Sequence, residues 1–278
     1  MAEIPPLPEL RFAEIPVASQ YRYAGDRFCY METGRRELAP LLLLHGIGAN
    51  SLHWRYQLAG LADRFRLIAW NAPGYLLSDN LRTETPTFRD YADALGDLLA
   101  ALGISRFDVV ANSFGTRVAQ SFAYHRPGQI GRAVFTGTSI PHRTPPEERA
   151  RILEARSRMI ERGGYSFANR AAALLGSAAS AETQALVQQT LRATNPAGFM
   201  QAARFIADAD MPPLGAGLTM PLLMIQGEED GIAPTATNAE LLASALTQAK
   251  LVVLAGCGHL PEVEFPARVN DLIAAHLS

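Results

Sequence analysis

A series of short apolar segments, separated by segments with helical periodicity, constrains this chain more than any other feature of its sequence. Two early segments, residues 10–17 and 21–32, alternate apolar and polar residues, which predicts half-exposed antiparallel strands. The later segments are continuously apolar, which predicts strands buried on both faces of a parallel sheet. These later segments are residues 40–45, 65–70, 107–112, 132–137, 220–226 and 250–254. The segments with helical periodicity are residues 52–63, 87–102, 114–126, 235–248 and 266–277.

Alternating strands and helices predict an α/β fold with an eight-stranded, mostly parallel, doubly wound sheet. A chain of 278 residues is long enough for one such domain with a large buried core. Residues 141–213 interrupt the alternation, because they contain several helical patterns and no strand-like segment. We therefore predict a core domain made of residues 1–140 and 214–278, with an inserted all-helical cap, residues 141–213.

Charge, hydropathy and cysteine content narrow the classes of partner. The formal net charge is −2, which gives no electrostatic reason to expect nucleic acid or an anionic membrane as a partner. No apolar segment approaches the roughly 18–20 residues of a membrane-spanning helix, and the N-terminus lacks the pattern of a signal peptide. Cys29 and Cys257 are too few for a disulfide framework and lack metal-ligand spacing. We expect a cytoplasmic protein that acts on a small molecule, and the sequence leaves open whether it forms a homo-oligomer.

The segment VVANSFGTRVA, residues 109–119, places a lone serine where a predicted strand meets a predicted helix. In open parallel sheets, ligands bind at the carboxyl ends of the strands, so Ser113 is placed to meet one. Ala111 and Gly115, two positions before and after the serine, are small enough for a tight turn that raises the hydroxyl above the sheet. The following helix N-terminus adds free N–H groups and a dipole that favours negative charge. The alternative interpretation is that Ser113 is only the N-cap of an ordinary helix.

Three other predicted strands also end in polar residues. One is followed by the glycine loop His45–Gly48, whose alternative interpretation is a simple turn with a structural histidine. Asp230 follows the seventh predicted strand, and Glu228 and Glu229 are alternative carboxylates at the same strand end. His259 lies in a glycine loop between the last strand and the last helix. These ends belong to one edge of the sheet, so we expect their side chains to lie near the serine.

Taken together, these segments resemble the α/β-hydrolase superfamily over almost the whole chain, with nucleophile, acid and base in the chain order Ser113, Asp230 and His259. The resemblance implies that His259 takes the proton of the Ser113 hydroxyl and that Asp230 orients the imidazole. It also implies an oxyanion hole formed by the backbone N–H groups of Ile47 and Phe114. The chain departs from the family pattern at Ala111, where glycine is usual, and at Asn71 and Leu76 in the turn WNAPGYLLSDN.

The resemblance further implies the class of reaction. We expect hydrolysis of a small, mainly apolar ester, lactone or related carbonyl compound through an acyl-enzyme, without a metal ion or an organic cofactor. The cap would set the substrate, because the fold by itself does not fix function. The residues expected to contact the substrate are His45, Gly46, Asn112, Arg204 and Leu260.

Three alternatives stay open. A carbon–carbon bond hydrolase of ring-opened aromatic products would use the same triad, with a cap arginine such as Arg204 binding a carboxylate. Asn112, directly before the serine, favours this alternative. Leu260 argues against it, because such hydrolases usually carry a tryptophan directly after the catalytic histidine. A cofactor-free dioxygenase would use His259 as the base on a hydroxyl-bearing heteroaromatic substrate. A non-enzymatic receptor would bind a small ligand with very slow turnover. Epoxide hydrolases and haloalkane dehalogenases are disfavoured, because they would carry aspartate at the position of Ser113.

Overall fold

The computed structural model describes residues 4–141, 145–163, 167–208 and 212–278. Within these residues, the strands are β1 (Leu10–Glu14), β2 (Arg27–Thr33), β3 (Pro40–Leu44), β4 (Arg66–Trp70), β5 (Phe107–Asn112), β6 (Ile130–Thr136), β7 (Leu222–Gly227) and β8 (Ala249–Leu254). They form one eight-stranded sheet in the order β1-β2-β4-β3-β5-β6-β7-β8. β2 pairs antiparallel with β1 and β4, and all other neighbours are parallel. The predicted eight-stranded, mostly parallel α/β sheet is confirmed.

Helices connect most of the strands. They are α1 (Arg55–Gly60), α2 (Phe88–Ala101), α3 (Phe114–His125), α4 (Pro146–Glu161), α5 (Ala171–Leu174), α6 (Ala181–Arg192), α7 (Pro196–Asp208), α8 (Ala239–Ala245), α9 (Pro261–Glu264) and α10 (Pro266–Leu277). Short 3₁₀ turns cover Val17–Arg22, Ser51–Trp54 and Thr235–Thr237. Among the described residues, no helix is both long and apolar enough to cross a bilayer.

Apolar layers cover both faces of the sheet, and β3 shows why. Its side chains alternate between the two faces, so a continuously apolar strand needs apolar partners on both sides. Leu42 and Leu44 are buried in the layer that contains α2 and α3, whereas Leu41 and Leu43 are buried in the layer that contains α1 and α10. Each such side chain contributes about 1.5–3 kcal/mol through burial, which fixes the helices to the sheet and the strand ends to one another.

Several predicted elements differ from the structure in their bounds, and two of them show the cause. The strand predicted at residues 21–32 begins only at Arg27, because the preceding residues form the 3₁₀ turn Val17–Arg22. The helix predicted at residues 235–248 is divided into the 3₁₀ turn Thr235–Thr237 and α8, because the backbone between them leaves helical geometry. In both places a local turn interrupts an apolar pattern, and periodicity alone does not reveal such turns.

The segment between β6 and β7 consists, where it is described, of helices α4 to α7 and loops, without a strand. Its apolar side chains form a third cluster with residues that follow β8, including Leu174, Leu191 and Phe199 against Leu260 and Val263. The inserted helices therefore cover the edge of the sheet at which the candidate residues lie. The division into a core domain and a cap at residues 141 and 213 stays a prediction.

Helix α7 packs tightly against the backbone of Gly74 at Gly198. A Cβ atom on Gly198 would lie 2.1 Å from the carbonyl oxygen of Gly74, a contact with backbone that cannot rotate away. We therefore expect Gly198→Ala to lower the free energy of unfolding by about 1–3 kcal/mol, despite the higher helix propensity of alanine. Urea unfolding would measure this. Gly231→Ala is the matched control, because a Cβ there meets nothing within 4 Å; an equal effect of both substitutions would contradict the tight contact.

Candidate active site

The junction between β5 and α3 has an unusual backbone. Ser113 has φ of +51°, and among the described residues the only other non-glycine residue with positive φ is Leu76. Its side chain makes no capping hydrogen bond to α3, which contradicts the interpretation of Ser113 as an ordinary N-cap. A Cβ on Gly115 would lie 2.2 Å from the carbonyl oxygen of Leu44, so glycine is required where α3 crosses β3. The strained conformation, which costs about 1–3 kcal/mol, is held by this packing.

Asp230 and His259 form a buried pair. The Nδ1 of His259 lies 2.8 Å from the Oδ2 of Asp230, and both side chains are at most 4% exposed. The other carboxylate oxygen, Oδ1, accepts hydrogen bonds from the backbone N–H groups of Ile232 and Ala233, each at 2.9 Å. The amide of Gln226 donates to Oδ2 at 2.6 Å. Four donors therefore surround the carboxylate, and this arrangement fixes the histidine ring.

A second carboxylate, that of Glu264, fixes the loop that carries His259. Glu264 accepts hydrogen bonds from the backbone N–H groups of Gly258, Leu260 and Gly176. Burial raises the pKa of Glu264, and these three donors act in the opposite direction. Because Gly176 follows α5, this carboxylate joins the histidine loop to the inserted helices.

Ser113 and His259 line the same small cavity. The Ser113 hydroxyl forms no hydrogen bond to His259 in the described part of the chain, although both residues line this cavity. Such contacts between nucleophile and base are often long without substrate and shorten when it binds. The arrangement provides a hydroxyl and an imidazole for one reacting group.

The loop after β3 forms another wall of this cavity. A Cβ on Gly46 would lie 3.3 Å from the Cβ of Ser113 and 2.5 Å from the Oδ1 of Asn112, so the loop passes directly over the serine. Ile47 also lines the cavity. Phe114 is fully buried and does not line the cavity, and its backbone N–H lies at the start of α3, next to Ser113 in the chain. The assignment of the Ile47 and Phe114 N–H groups to an oxyanion hole stays a prediction.

His45 does not line the cavity, which contradicts the prediction that it contacts substrate. It is fully buried, and both ring nitrogens have partners: Nε2 accepts from the N–H of Ala72 at 3.1 Å, and Nδ1 donates to the carbonyl of Gly46 at 2.8 Å. Burial lowers the pKa of His45 to about 3, so the ring is neutral at physiological pH. We correct its role to that of a structural residue that fixes the glycine loop.

Arg204 also lies outside the cavity. Its Nη1 donates to the carbonyl of Glu84 at 2.9 Å, and it lines an open groove on the outer surface. The prediction that Arg204 binds a substrate group is therefore wrong, because α7 turns this position towards the surface. The other three predicted contact residues, Gly46, Asn112 and Leu260, do line the cavity. Asn112 has a second role, because its Nδ2 donates to the carbonyl of His259 at 3.2 Å and joins the serine turn to the histidine loop.

Three polar residues of the cavity, His53, Arg170 and Thr190, are not among the residues predicted from the sequence. The ring of His53 is paired through Nε2 with the buried carboxylate of Glu262. Nothing in the local pattern distinguishes Arg170 from the other arginines of the inserted helices. The remaining walls are mainly apolar and include Ile47, Leu174, Val187, Leu191, Ile232 and Leu260. Within the described ranges, no group of three or more His, Cys, Asp or Glu side chains could hold a metal ion.

Over most of its length, the chain is similar to a known protein family and to known proteins. A family model described as "alpha/beta hydrolase fold" matches residues 39–266. The 2-hydroxymuconate semialdehyde hydrolase of Pseudomonas sp. strain CF600 is 27% identical over 255 residues, which cover 86% of this chain and 87% of that protein. Epoxide hydrolase 1 of Caenorhabditis elegans is 24% identical over 280 residues, which cover 91% of this chain and 68% of that protein.

Solved structures give the same result for the fold. A thermophilic esterase from Thermogutta terrifontis superposes with a TM-score of 0.82 at 23% sequence identity. The superposition covers 97% of this chain and 98% of the esterase. At this identity, the likeness shows the fold alone.

The burial of His45 predicts part of the dependence of stability on pH. The unfolded chain binds a proton at His45 below its ordinary pKa of 6.5, whereas the folded protein does so only near 3, so stability falls as the pH drops below about 6.5. We expect His45→Asn to be less stable than the wild type at pH 8, but to lose about 2 kcal/mol less stability between pH 8 and pH 5. Urea unfolding at both pH values measures the two losses. Equal losses in both proteins would contradict the buried neutral histidine.

Proposed function

Because this chain belongs to the α/β-hydrolase fold family, we propose that it is a serine hydrolase that cleaves a small, mainly apolar ester, lactone or related carbonyl compound through an acyl-enzyme. The observation that carries the proposal is the positive φ of Ser113, which turns the hydroxyl into the cavity lined by His259. A strained serine between a strand and a helix is the nucleophile elbow of this fold.

The reaction begins with the attack of the Ser113 oxygen on the substrate carbonyl. A serine hydroxyl is a weak nucleophile until a base removes its proton, and the Nε2 of His259 is the ring nitrogen that Asp230 leaves available. The imidazolium that forms is stabilised by the Asp230 carboxylate. It then gives its proton to the leaving group, so the alcohol departs neutral and the acyl group stays on Ser113.

Water completes the cycle by the same steps. His259 removes a proton from a water molecule, whose oxygen attacks the acyl-enzyme carbonyl. The tetrahedral intermediate collapses, the Ser113 oxygen regains its proton, and the acid product is released. In both halves of the reaction the carbonyl oxygen becomes negative, and the N–H groups of Ile47 and Phe114 are the proposed donors to it. A donor of this kind contributes about 3–4 kcal/mol to the transition state.

The inserted helices are proposed to act as the cap of the site. Leu174, Val187, Thr190 and Leu191 reach from them into the cavity, opposite Ser113 and Gly46. A cover of this kind excludes water from the oxyanion and selects the substrate by shape. The mainly apolar walls favour a substrate with a short hydrocarbon part.

Hydrolysis of a carbon–carbon bond is the second candidate, because the relative named 2-hydroxymuconate semialdehyde hydrolase matches most of both chains. This reaction would use the same serine, histidine and aspartate. The relative named an epoxide hydrolase favours neither candidate, because a family member of that class would carry aspartate where this chain has Ser113.

The first test is covalent labelling of the serine. We expect a fluorophosphonate to add once to the wild type and not to Ser113→Ala, as seen in the intact-protein mass. The variant should also lose turnover of esters by about 10⁴-fold or more, with an unchanged circular dichroism spectrum. Ser244→Ala is the control, because Ser244 is an exposed serine of α8. Retained turnover in Ser113→Ala would move the nucleophile elsewhere, and an unlabelled wild type would favour the dioxygenase or receptor alternative.

The second test separates the acid from its neighbour. Asp230→Asn removes the acceptor for the Nδ1–H of His259 and favours the wrong tautomer, so we expect kcat to fall by about 10³–10⁴-fold. Glu229→Gln is the matched control, because the exposed Glu229 carboxylate accepts only from the N–H and hydroxyl of Ser177. We expect kcat of this control within about threefold of the wild type. A larger loss in Glu229→Gln than in Asp230→Asn would overturn the assignment.

A further inference from the structure

We propose that the substrate carries a carboxylate that is not itself cleaved, and that Arg170 binds it at the end of the cavity lined by the inserted helices. This inference rests on the proposed function, since it names the class of carbonyl compound that the serine hydrolase takes. Three ionisable side chains line the cavity within the described ranges: His53, Arg170 and His259. None of them is an acid, so the charged lining favours an anion.

Arg170 is placed to meet a ligand. Its guanidinium lies 6.0 Å from the ring centroid of Phe199, and in the described part of the chain its side chain has no hydrogen bond or ion pair. Its Nη1 is 3.8 Å from the point where a Cβ on Gly48 would lie, next to the loop that passes over Ser113. A bound anion would therefore lie beside the reacting carbonyl, within the same small cavity.

The arginines behind Arg170 are not neutralised by described acids either. Arg156 donates to the carbonyl of Ala203, and Arg117 donates to Ser139, Ile140 and Ile206, all of which are neutral acceptors. Burial, and then the neighbouring arginine, lowers the pKa of both Arg117 and Arg156 to about 10. Positive charge therefore accumulates beneath the inserted helices, and Arg170 is the member of this group that lines the cavity.

The nearest buried acid is already occupied. Glu262 pairs with His53, is fully buried and does not line the cavity, whereas His53 does. Within the described residues Glu262 forms no ion pair with Arg170, so it does not compensate the charge of the guanidinium. The Nδ1 of His53 is the ring nitrogen free to face a ligand, so it provides a second polar contact beside the guanidinium.

A carboxylate fits this site better than a neutral polar group. A guanidinium presents parallel N–H donors that match the two oxygens of a carboxylate, and this pairing strengthens away from water. An unpaired cation in a partly buried cavity is costly, and an anionic ligand removes that cost. The remaining walls are apolar, so the substrate has a short hydrocarbon chain between the carboxylate and the scissile carbonyl.

The experiment compares monomethyl adipate with dimethyl adipate. One end of the chain is a carboxylate in the first compound and a neutral methyl ester in the second. We expect wild-type kcat/KM for the anionic monoester to exceed that for the neutral diester by about tenfold or more. In Arg170→Met this ratio should fall by about tenfold or more, mainly through a higher KM for the monoester, because the binding contact is equal in ground and transition states. Arg170→Lys keeps the charge without the paired donors and should fall between the two.

Arg204→Met is the matched control, because this arginine lies on the surface of the inserted helices, outside the cavity. Its ratio should equal that of the wild type. A wild type without preference for the monoester would overturn the proposal. So would an Arg170→Met variant in which both esters lose the same factor, since that result indicates a structural role.

Binding to an inactive protein separates this proposal from the proposed function. Calorimetry should show monomethyl adipate binding to Ser113→Ala, about tenfold weaker binding when Arg170→Met is added, and an intermediate affinity when Arg170→Lys is added. If binding depends on Arg170 in this way, but the wild type neither cleaves esters nor reacts with the fluorophosphonate, the carboxylate site is supported and the serine hydrolase proposal fails. If the wild type is labelled and cleaves both esters, but binding and rates do not depend on Arg170, only the carboxylate proposal fails.

Discussion

The contact between Gly115 and the carbonyl of Leu44 leaves no room for a side chain, and much of the site depends on it. It fixes the start of α3 against the end of β3, which forces Ser113 into positive φ between them. The same approach brings Gly46 over the serine. The strain is local, but the two apolar layers that hold strands and helices together are large enough to maintain it. Ala111, where the family usually has glycine, is fully buried without preventing this turn.

Buried charge is distributed unevenly around the cavity. Asp230 is surrounded by four donors and directed at His259, which gives one ring nitrogen a fixed partner and leaves the other for chemistry. Glu262 pairs with the Nε2 of His53, whereas Asp230 pairs with the Nδ1 of His259. The cavity is therefore lined by two imidazoles, whose supporting carboxylates lie behind them. A substrate meets nitrogen donors and acceptors rather than acids, so the electrostatics of the site favour negative charge.

Sequence alone predicted the sheet and brought the correct loops together, because both depend on local patterns. Continuous apolar segments require two covered faces, and parallel strands end at one edge. The failures concern which way a side chain points. His45 and Arg204 lie in the right segments but turn away from the cavity, whereas Arg170 turns towards it. For the two arginines that choice depends on how the inserted helices pack, and for His45 it depends on the hydrogen bond from the Ala72 N–H; periodicity encodes neither.

The position of Arg170 also affects the energy of the reaction that we propose. A substrate carboxylate near the scissile carbonyl would repel the negative charge that develops on the carbonyl oxygen, and this repulsion is strong in a cavity with little water. The guanidinium neutralises that carboxylate before the chemistry begins. Its Nη1 lies 3.8 Å from the point where a Cβ on Gly48 would lie, so the neutralised carboxylate would lie beside the loop that carries the Ile47 N–H. An apolar cavity with one unpaired arginine can therefore admit an anionic substrate without raising the barrier to forming a second negative charge.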